Sequence, residues 1–132
     1  MSYTAELKIE GKTFPIIRCE YNLSQKVDLF GKPVPSVISD PIKLELYGTN
    51  DETNISWATN SKKKLDGTIS FLKPDQSVFK EIKFEQAYCI KYREDINPLV
   101  KGISDISYRH CLEISAKVIG IGDIKHDNHW PD

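Results

Sequence analysis

The stretch EIKFEQAYCIKYRE, residues 81–94, decides the fold because it alternates throughout its length. Ile82, Phe84, Ile90 and Tyr92 occupy its even positions, whereas charged residues dominate the odd ones. A period of two is typical of a half-buried strand, and a helix would scatter the same apolar residues over different faces. Because the stretch is about twice as long as a usual strand of five or six residues, it predicts a barrel or a strongly curled sheet.

The flanking segments extend the same pattern. Apolar residues alternate with polar ones over residues 4–9, 13–27, 42–47, 68–73 and 106–121, which predicts five more strands. The one good helix candidate is 50–65, where Asn50 or Asp51 can cap the start and three lysines, 62–64, lie in the last turn. We therefore predict a mainly β fold, an antiparallel β-barrel with one flanking α-helix and an extended loop, in a single domain over residues 1–132.

The predicted extended loop is DLFGKPVPSVISDP, residues 28–41. Gly31 and three prolines exclude a helix or a central strand there. Connections of this length in compact domains are usually functional or disordered. The loop also carries five large apolar side chains, Leu29, Phe30, Val34, Val37 and Ile38. Two interpretations stay open: the loop folds back as a lid on its own core, or it docks on another molecule.

Composition excludes several classes of partner. The chain has 18 basic and 19 acidic side chains and a formal net charge of −1. Because the basic side chains are not in clustered excess, a nucleic-acid partner is not expected. No apolar run approaches the roughly 20 residues that span a bilayer, so membrane insertion is not expected either. The N-terminal residues lack the pattern of a signal peptide, which predicts synthesis in the cytosol and, if the protein is exported, a dedicated machine.

A search for catalytic chemistry favours a binding or structural role without a cofactor. The three cysteines, Cys19, Cys89 and Cys111, have no metal-type spacing and are expected to be reduced thiols. His110 lies on the same face of its predicted strand as the apolar residues, so we expect a hydrogen-bonded core histidine rather than a catalytic base. The sequence shows no nucleophile elbow and no phosphate-binding glycine loop. We therefore predict that the protein is not an enzyme.

Four segments together resemble the tube protein of type VI secretion systems, the Hcp or TssD family, and in particular its Bacteroidetes branch. They are YTAELKIEGKTFPIIRCEYNLSQKVDLFGKP, ISWATNSKKKLDGTISFLK, KEIKFEQAYCIKYRE and LEISAKVIGIGDIKHDNHW, and the likeness extends over essentially the whole chain. It rests on the order and spacing of these segments rather than on a single diagnostic motif.

The resemblance implies a structural role as one subunit in an assembly of identical copies. Six copies would form a ring, the rings would stack into a tube, and a contractile sheath would drive the tube and its spike protein out of the cell, with secreted effectors carried in the lumen. The protein would be cytoplasmic during assembly and then secreted through the type VI machine. The extended loop maps onto the contacts between subunits and rings, which selects Leu29, Phe30, Gly31, Pro33, Val34, Pro35, Val37 and Ile38.

Two other classes of function remain as alternatives. The first is a monomeric β-barrel that binds a small ligand or a glycan on an exposed aromatic platform formed by Tyr88, Tyr92 and Trp57. The second is a metal-dependent enzyme built around His126 and His129, which are three residues apart with an aspartate between them. A third, distant metal ligand would be needed for the second alternative.

Overall fold

The computed structural model describes residues 3–96 and 108–128, except for the side chains of 25–26 and 33–39. The fold is mainly β, as predicted. Its elements in chain order are β1 (Thr4–Ile9), β2 (Lys12–Glu20), β3 (Leu23–Val27), β4 (Pro33–Ser39), β5 (Ile42–Tyr47), α1 (Thr53–Ala58), β6 (Leu65–Leu72), β7 (Val78–Ile96), β8 (Tyr108–Ile121) and β9 (Ile124–Asp127).

Six of the strands close into an antiparallel barrel in the order β5-β2-β1-β6-β7-β8. The barrel closes where β8 pairs with β5, from the pair Ile42 and Ile114 to the pair Tyr47 and Arg109. Closure gives every barrel strand a partner on both sides, so that none is left as a free edge. β9 adds to one end of β8 outside this ring of strands, and β3 and β4 form a separate two-stranded sheet. The predicted barrel is thus confirmed.

Apolar side chains from the strands and the helix fill the barrel. The fully buried ones include Leu7, Ile9, Ile42, Leu44, Leu46, Trp57, Ile69, Ile82, Phe84, Leu112 and Ile114. Trp57 is the contribution of α1: its indole stacks on Phe84, with ring centroids 6.2 Å apart, and its Nε1 donates a hydrogen bond to the carbonyl oxygen of Ala87 at 3.0 Å. Because Trp57 is fully buried, it cannot form part of an exposed aromatic platform, and that element of the ligand-binding alternative is wrong.

The helix is much shorter than the predicted 50–65. It comprises only Thr53–Ala58, and the three lysines follow it instead of forming its last turn. Asn60 forms a turn there, since its side-chain oxygen accepts the N–H of Lys62 and its carbonyl oxygen accepts the N–H of Lys63. Asparagine competes with helical hydrogen bonds in this way, which explains the early end of the helix. The N-cap is Glu52, whose side chain makes no capping hydrogen bond, so the predicted cap at Asn50 or Asp51 is wrong. Asp51 lies one residue before it, and its carboxylate accepts the N–H of Thr53 at 2.8 Å.

The second long strand predicted over 13–27 is two strands in two different sheets. β2 ends at Glu20, and β3 starts at Leu23 and pairs only with β4 among the described residues. The register between β2 and β5 also shifts between Ile16 and Arg18. Such a bulge bends a strand and changes which residues face inward. The single, regularly alternating strand predicted over 13–27 is therefore wrong.

A second irregularity divides the long strand β7. Ile82 and Phe84 are buried, but beyond Gln86 the buried residues are Ala87 and Cys89, on the opposite parity. Gln86 adopts a positive φ of 50°, and its N–H donates to the carboxylate of Asp66 at 2.8 Å. The register with β6 shifts at this point, as expected for a bulge. The single inward face predicted for the even positions of 82–92 is therefore wrong.

Candidate assembly surface

The apolar segment singled out in the sequence forms a β-hairpin that stands apart from the barrel. β3 and β4 pair antiparallel, from Leu23 opposite Ser39 to Val27 opposite Pro33. At the base, the N–H of Asp40 donates to the carbonyl oxygen of Asn22 at 3.0 Å. Among the described residues, neither strand pairs with a barrel strand. The hairpin therefore leaves the barrel between β2 and β5 as a two-stranded arm.

The turn at the tip of this hairpin is specified by Asp28 and Gly31. The Asp28 carboxylate accepts the N–H groups of Phe30 at 2.9 Å and Lys32 at 3.0 Å. The N–H of Gly31 donates to the carbonyl oxygen of Asp28, and Gly31 has a φ of +79°, a conformation that glycine adopts at little cost. An aspartate that satisfies the turn and a glycine at its left-handed position are the local reasons for the reversal.

The side chains at the tip point into solvent. Leu29 is 100% exposed and Phe30 is 94% exposed, and Val27 and Leu23 in β3 are exposed as well. Of the two interpretations left open by the sequence, the lid on the chain's own core is thus wrong for this tip. Two large apolar side chains on one projecting turn are a surface that a second molecule can cover.

The structure brings the eight predicted assembly residues into this one hairpin. Leu29, Phe30 and Gly31 form the turn. The backbone of the other five lies in β4, and their side chains, Pro33, Val34, Pro35, Val37 and Ile38, are outside the described set. The predicted extended loop is therefore a strand pair over much of its length. Prolines are compatible with a strand that has a partner on one side only, because the other side needs no N–H donors.

The outer wall of the barrel carries a different kind of surface. The registers of β2, β5, β8 and β7 align two rows of outward residues, Arg18–Glu45–Cys111–Arg93 and Glu20–Lys43–Glu113–Lys91. Acidic and basic groups alternate along the second row, and ion pairs join Lys91 to Glu113 at 3.6 Å and Glu45 to Arg109 at 3.1 Å. A depression of about 270 Å³ lies among these residues. The wall is polar and carries both signs of charge.

The cysteines are all free thiols, as predicted. Burial raises the pKa of Cys19 and of Cys89 to about 11 in each case, which keeps both thiols protonated and unreactive at neutral pH. Cys111 lies on the outer wall, where its sulfur accepts a hydrogen bond from Nη2 of Arg93 at 3.3 Å.

His110 is a buried, hydrogen-bonded core residue, as predicted from its position on the apolar face of the strand. The side chain is fully buried, and its two ring nitrogens contact the hydroxyl groups of Tyr92 at 3.1 Å and Tyr108 at 3.0 Å. Tyr92 also donates to Glu94 at 2.7 Å. Burial lowers the pKa of His110, and the nearby Glu94 carboxylate opposes that shift. Burial also raises the pKa of Tyr92, with a further contribution from Glu94.

The predicted histidine metal site lies only partly within the described residues. The Nε2 atom of His126 lies 2.8 Å from the side-chain oxygen of Asn128, which in turn donates to the carbonyl oxygen of Ala116. His129 lies outside the described residues. Within 3–96 and 108–128, no group of three histidine, cysteine or carboxylate side chains is arranged to hold a metal ion. Nothing in the described part of the chain therefore adds the third ligand that this alternative requires.

A closed six-stranded antiparallel barrel with a short helix and a projecting apolar hairpin defines the class of fold. Residues 1–131 match the model of one protein family, described as hemolysin coregulated protein Hcp (TssD). The chain belongs to this family, which connects it to the inner tube of type VI secretion systems. The likeness read from the four sequence segments is thus confirmed.

Solved structures agree with the family. Hcp1 from Flavobacterium johnsoniae is 28% identical to this chain and superposes with a TM-score of 0.84. The match covers 95% of this chain and 99% of the Hcp1 chain. Hcp1 from Salmonella typhimurium is 14% identical with a TM-score of 0.74, over 96% of this chain and 95% of its own. A chain in the baseplate of the anti-feeding prophage is 11% identical with a TM-score of 0.55, over 97% of this chain and 94% of its own. The last two likenesses concern the fold alone.

No curated protein sequence matches the chain significantly. In the described part of the chain, no helix combines the length and the apolar character needed to cross a membrane.

Proposed function

We propose that this protein is the structural subunit of a type VI secretion inner tube, in which six copies form a ring and the rings stack. The single observation that carries the proposal is the hairpin tip, where Leu29 and Phe30 project fully into solvent from a chain whose family model matches residues 1–131. A contractile sheath would propel the tube behind a spike protein. The lumen would carry secreted effectors, and the subunit would leave the cytoplasm through the machine itself.

The energetics of the hairpin support docking. A two-stranded hairpin that packs on nothing is only marginally stable in water. Burying one leucine or phenylalanine side chain contributes about 1.5–3 kcal/mol. A neighbouring copy that covers Leu29 and Phe30 would therefore stabilise both the contact and the hairpin, and a ring presents the same tip six times. Docking would repeat these modest contributions around the assembly.

The rest of the surface is compatible with a ring of identical copies. A ring needs head-to-tail contacts, in which two different patches of the same chain meet and the rotation closes. The hairpin tip is apolar, whereas the outer wall on β2, β5, β8 and β7 carries alternating charges, so the chain offers surfaces of different chemistry. These differences would favour one orientation of a neighbouring copy over the others.

The variant Phe30→Asp tests the docking role of the hairpin. A carboxylate at a position that is 94% exposed costs the isolated chain little, but it would be buried without a partner charge in a docked tip. We expect folded protein whose rings no longer stack into tubes, as seen by negative-stain electron microscopy and by circular dichroism for the fold.

The matched control is Ile124→Asp, which adds the same carboxylate to an apolar residue that is 72% exposed and lies outside the hairpin. This control should stack as the wild type does. Stacking of Phe30→Asp at wild-type protein concentration would show that the tip is not part of the ring-to-ring contact.

A further inference from the structure

The hairpin that projects from the barrel has two outer edges, and these edges differ in their backbone hydrogen-bonding groups. Each strand of an antiparallel pair directs alternate N–H and C=O groups toward its partner and the others away from it. In β3 and β4, the groups that point away meet no third strand within residues 3–96 and 108–128. Another strand can add to an unpaired edge of this kind.

Two backbone hydrogen bonds determine which groups of β3 point outward. At the base of the hairpin, the N–H of Asp40 donates to the carbonyl oxygen of Asn22 at 3.0 Å. Near the tip, the N–H of Asp28 donates to the carbonyl oxygen of Lys32 at 2.9 Å. Since Asn22 and Asp28 both face β4, the even-numbered residues between them face it too. The N–H and C=O groups of the odd-numbered residues point to the outer edge, and these residues are Leu23, Gln25 and Val27.

This edge of β3 is continuous and lies in water. The strand contains no proline, so each of its three outward positions has an N–H to donate. The side chains of Leu23 and Val27 are exposed. Because these two residues are four apart in a strand, they lie on the same face of the hairpin. A strand that adds to this edge therefore gains both backbone hydrogen bonds and apolar contacts.

The outer edge of β4 is interrupted. Pro33 lies opposite Val27, so its nitrogen is directed outward, and that nitrogen has no hydrogen to donate. The register also shifts here, since the step from Gln25 to Val27 lies opposite the longer step from Val37 to Pro33. Prolines and bulges both hinder the pairing of an edge strand. The hairpin is thus protected along β4 and open along β3.

We propose that the outer edge of β3 pairs with a strand of a second copy of this chain, so that neighbouring subunits share a β-sheet. The inference rests on the proposed tube, in which identical copies are the neighbours, and it adds the backbone groups through which they meet. The edge leads directly into Leu29 and Phe30 at the tip. Pairing of the edge and burial of the tip therefore belong to one continuous contact.

The partner strand is not a second β3. Two β3 edges that pair with each other form an isologous contact, in which the same patch of both copies is used and the assembly is complete as a dimer. Rings and stacks need a head-to-tail contact between two different patches. The strand that meets β3 therefore comes from another part of the neighbouring copy, and the contact repeats from one copy to the next.

The variant Gln25→Pro tests the edge and leaves the hydrogen bonds of the hairpin itself in place. Proline removes an N–H that β4 does not use, and an edge strand tolerates proline at such a position. We expect a folded chain that needs about tenfold more protein to assemble, because one intermolecular hydrogen bond is lost. Multi-angle light scattering over a dilution series measures the assembly, and circular dichroism monitors the fold.

Two variants are matched controls. Ser39→Pro removes an outward N–H from the edge of β4, since Ser39 lies opposite Leu23. Gln25→Ala changes the side chain at the tested position and keeps its N–H. Both controls should assemble as the wild type does.

Amide hydrogen exchange of the wild type is a second measurement, and it decides the matter if Gln25→Pro does not fold. The outward amides of Leu23, Gln25 and Val27 should exchange more slowly in the assembled protein than in the dissociated chain.

The possible results separate this inference from the proposed function. Wild-type assembly of folded Gln25→Pro, an equal loss of assembly in Ser39→Pro, or unchanged exchange at the outward amides would each overturn the shared sheet and leave the tube intact. A wild-type chain that stays monomeric would overturn both.

Discussion

At the scale of single residues, Asn54 is the clearest anomaly. Its side chain is fully buried in α1, yet neither its amide nitrogen nor its amide oxygen has a hydrogen-bond partner in the described part of the chain. Leaving a buried polar group unpaired costs about 1–3 kcal/mol. An asparagine in this position therefore works against the stability of the isolated subunit.

Replacing this amide with an apolar group of similar size should stabilise the fold. For Asn54→Leu we expect the free energy of unfolding, measured by urea denaturation, to rise by about 1 kcal/mol, because two unpaired polar atoms are removed. Asn60→Leu, at an exposed turn, is the control and should not stabilise. A clear loss of stability in Asn54→Leu would instead reveal a partner for the amide beyond the described residues, such as a neighbouring copy.

Individual residues were predictable from sequence only where a pattern surrounded them. His110 lies in the part of β8 where every second residue is buried, from His110 to Ala116, and its burial follows from that alternation. Trp57 lies in a helix of six residues, too short for any periodicity to show which side chain enters the core. Its burial depends on Phe84 and the Ala87 carbonyl, which are distant in sequence, so the sequence wrongly suggested an exposed platform.

At the scale of elements, bulges account for most of the differences between the predicted and observed strands. Five of the six predicted strands exist with approximately the expected bounds, but the inward parity changes at Ile17 and at Gln86. A bulge shifts the register by one residue and needs no distinctive residue type, so alternation counted along the sequence cannot reveal it. The sequence likewise predicts a loop where β4 lies, because Pro33 and Pro35 argue against a strand with two partners.

The bulge in β7 gives a prediction of its own. Gln86 holds a φ of 50°, which costs a residue with a side chain more than it costs glycine. We expect Gln86→Gly to raise the free energy of unfolding by about 0.5–1 kcal/mol.

The neighbouring variant Glu85→Gly is the control for this bulge. Glu85 lies in the same strand without a positive φ, so glycine there should lower stability by a similar amount. Urea unfolding of the two variants side by side measures the difference. Equal losses in both would show that Gln86 does not hold the left-handed conformation in solution.

At the scale of the whole molecule, the barrel is complete by itself, whereas the hairpin is not. Strand closure and a filled interior leave no barrel strand without partners, so a single chain can fold. The hairpin projects from the barrel and exposes Leu29 and Phe30 to water. The family to which the whole chain belongs connects the protein to a tube. The likeness over the whole sequence predicted the family correctly, because order and spacing of segments survive where single motifs do not. Which surfaces meet in a ring depends on other copies, and one chain's sequence does not determine it.

The most direct test of a self-assembling subunit is the mass of the purified protein by multi-angle light scattering. The account predicts a particle of six times the 15.1 kDa chain mass, or a multiple of it where rings stack. A mass of 15.1 kDa that persists at high protein concentration would contradict it.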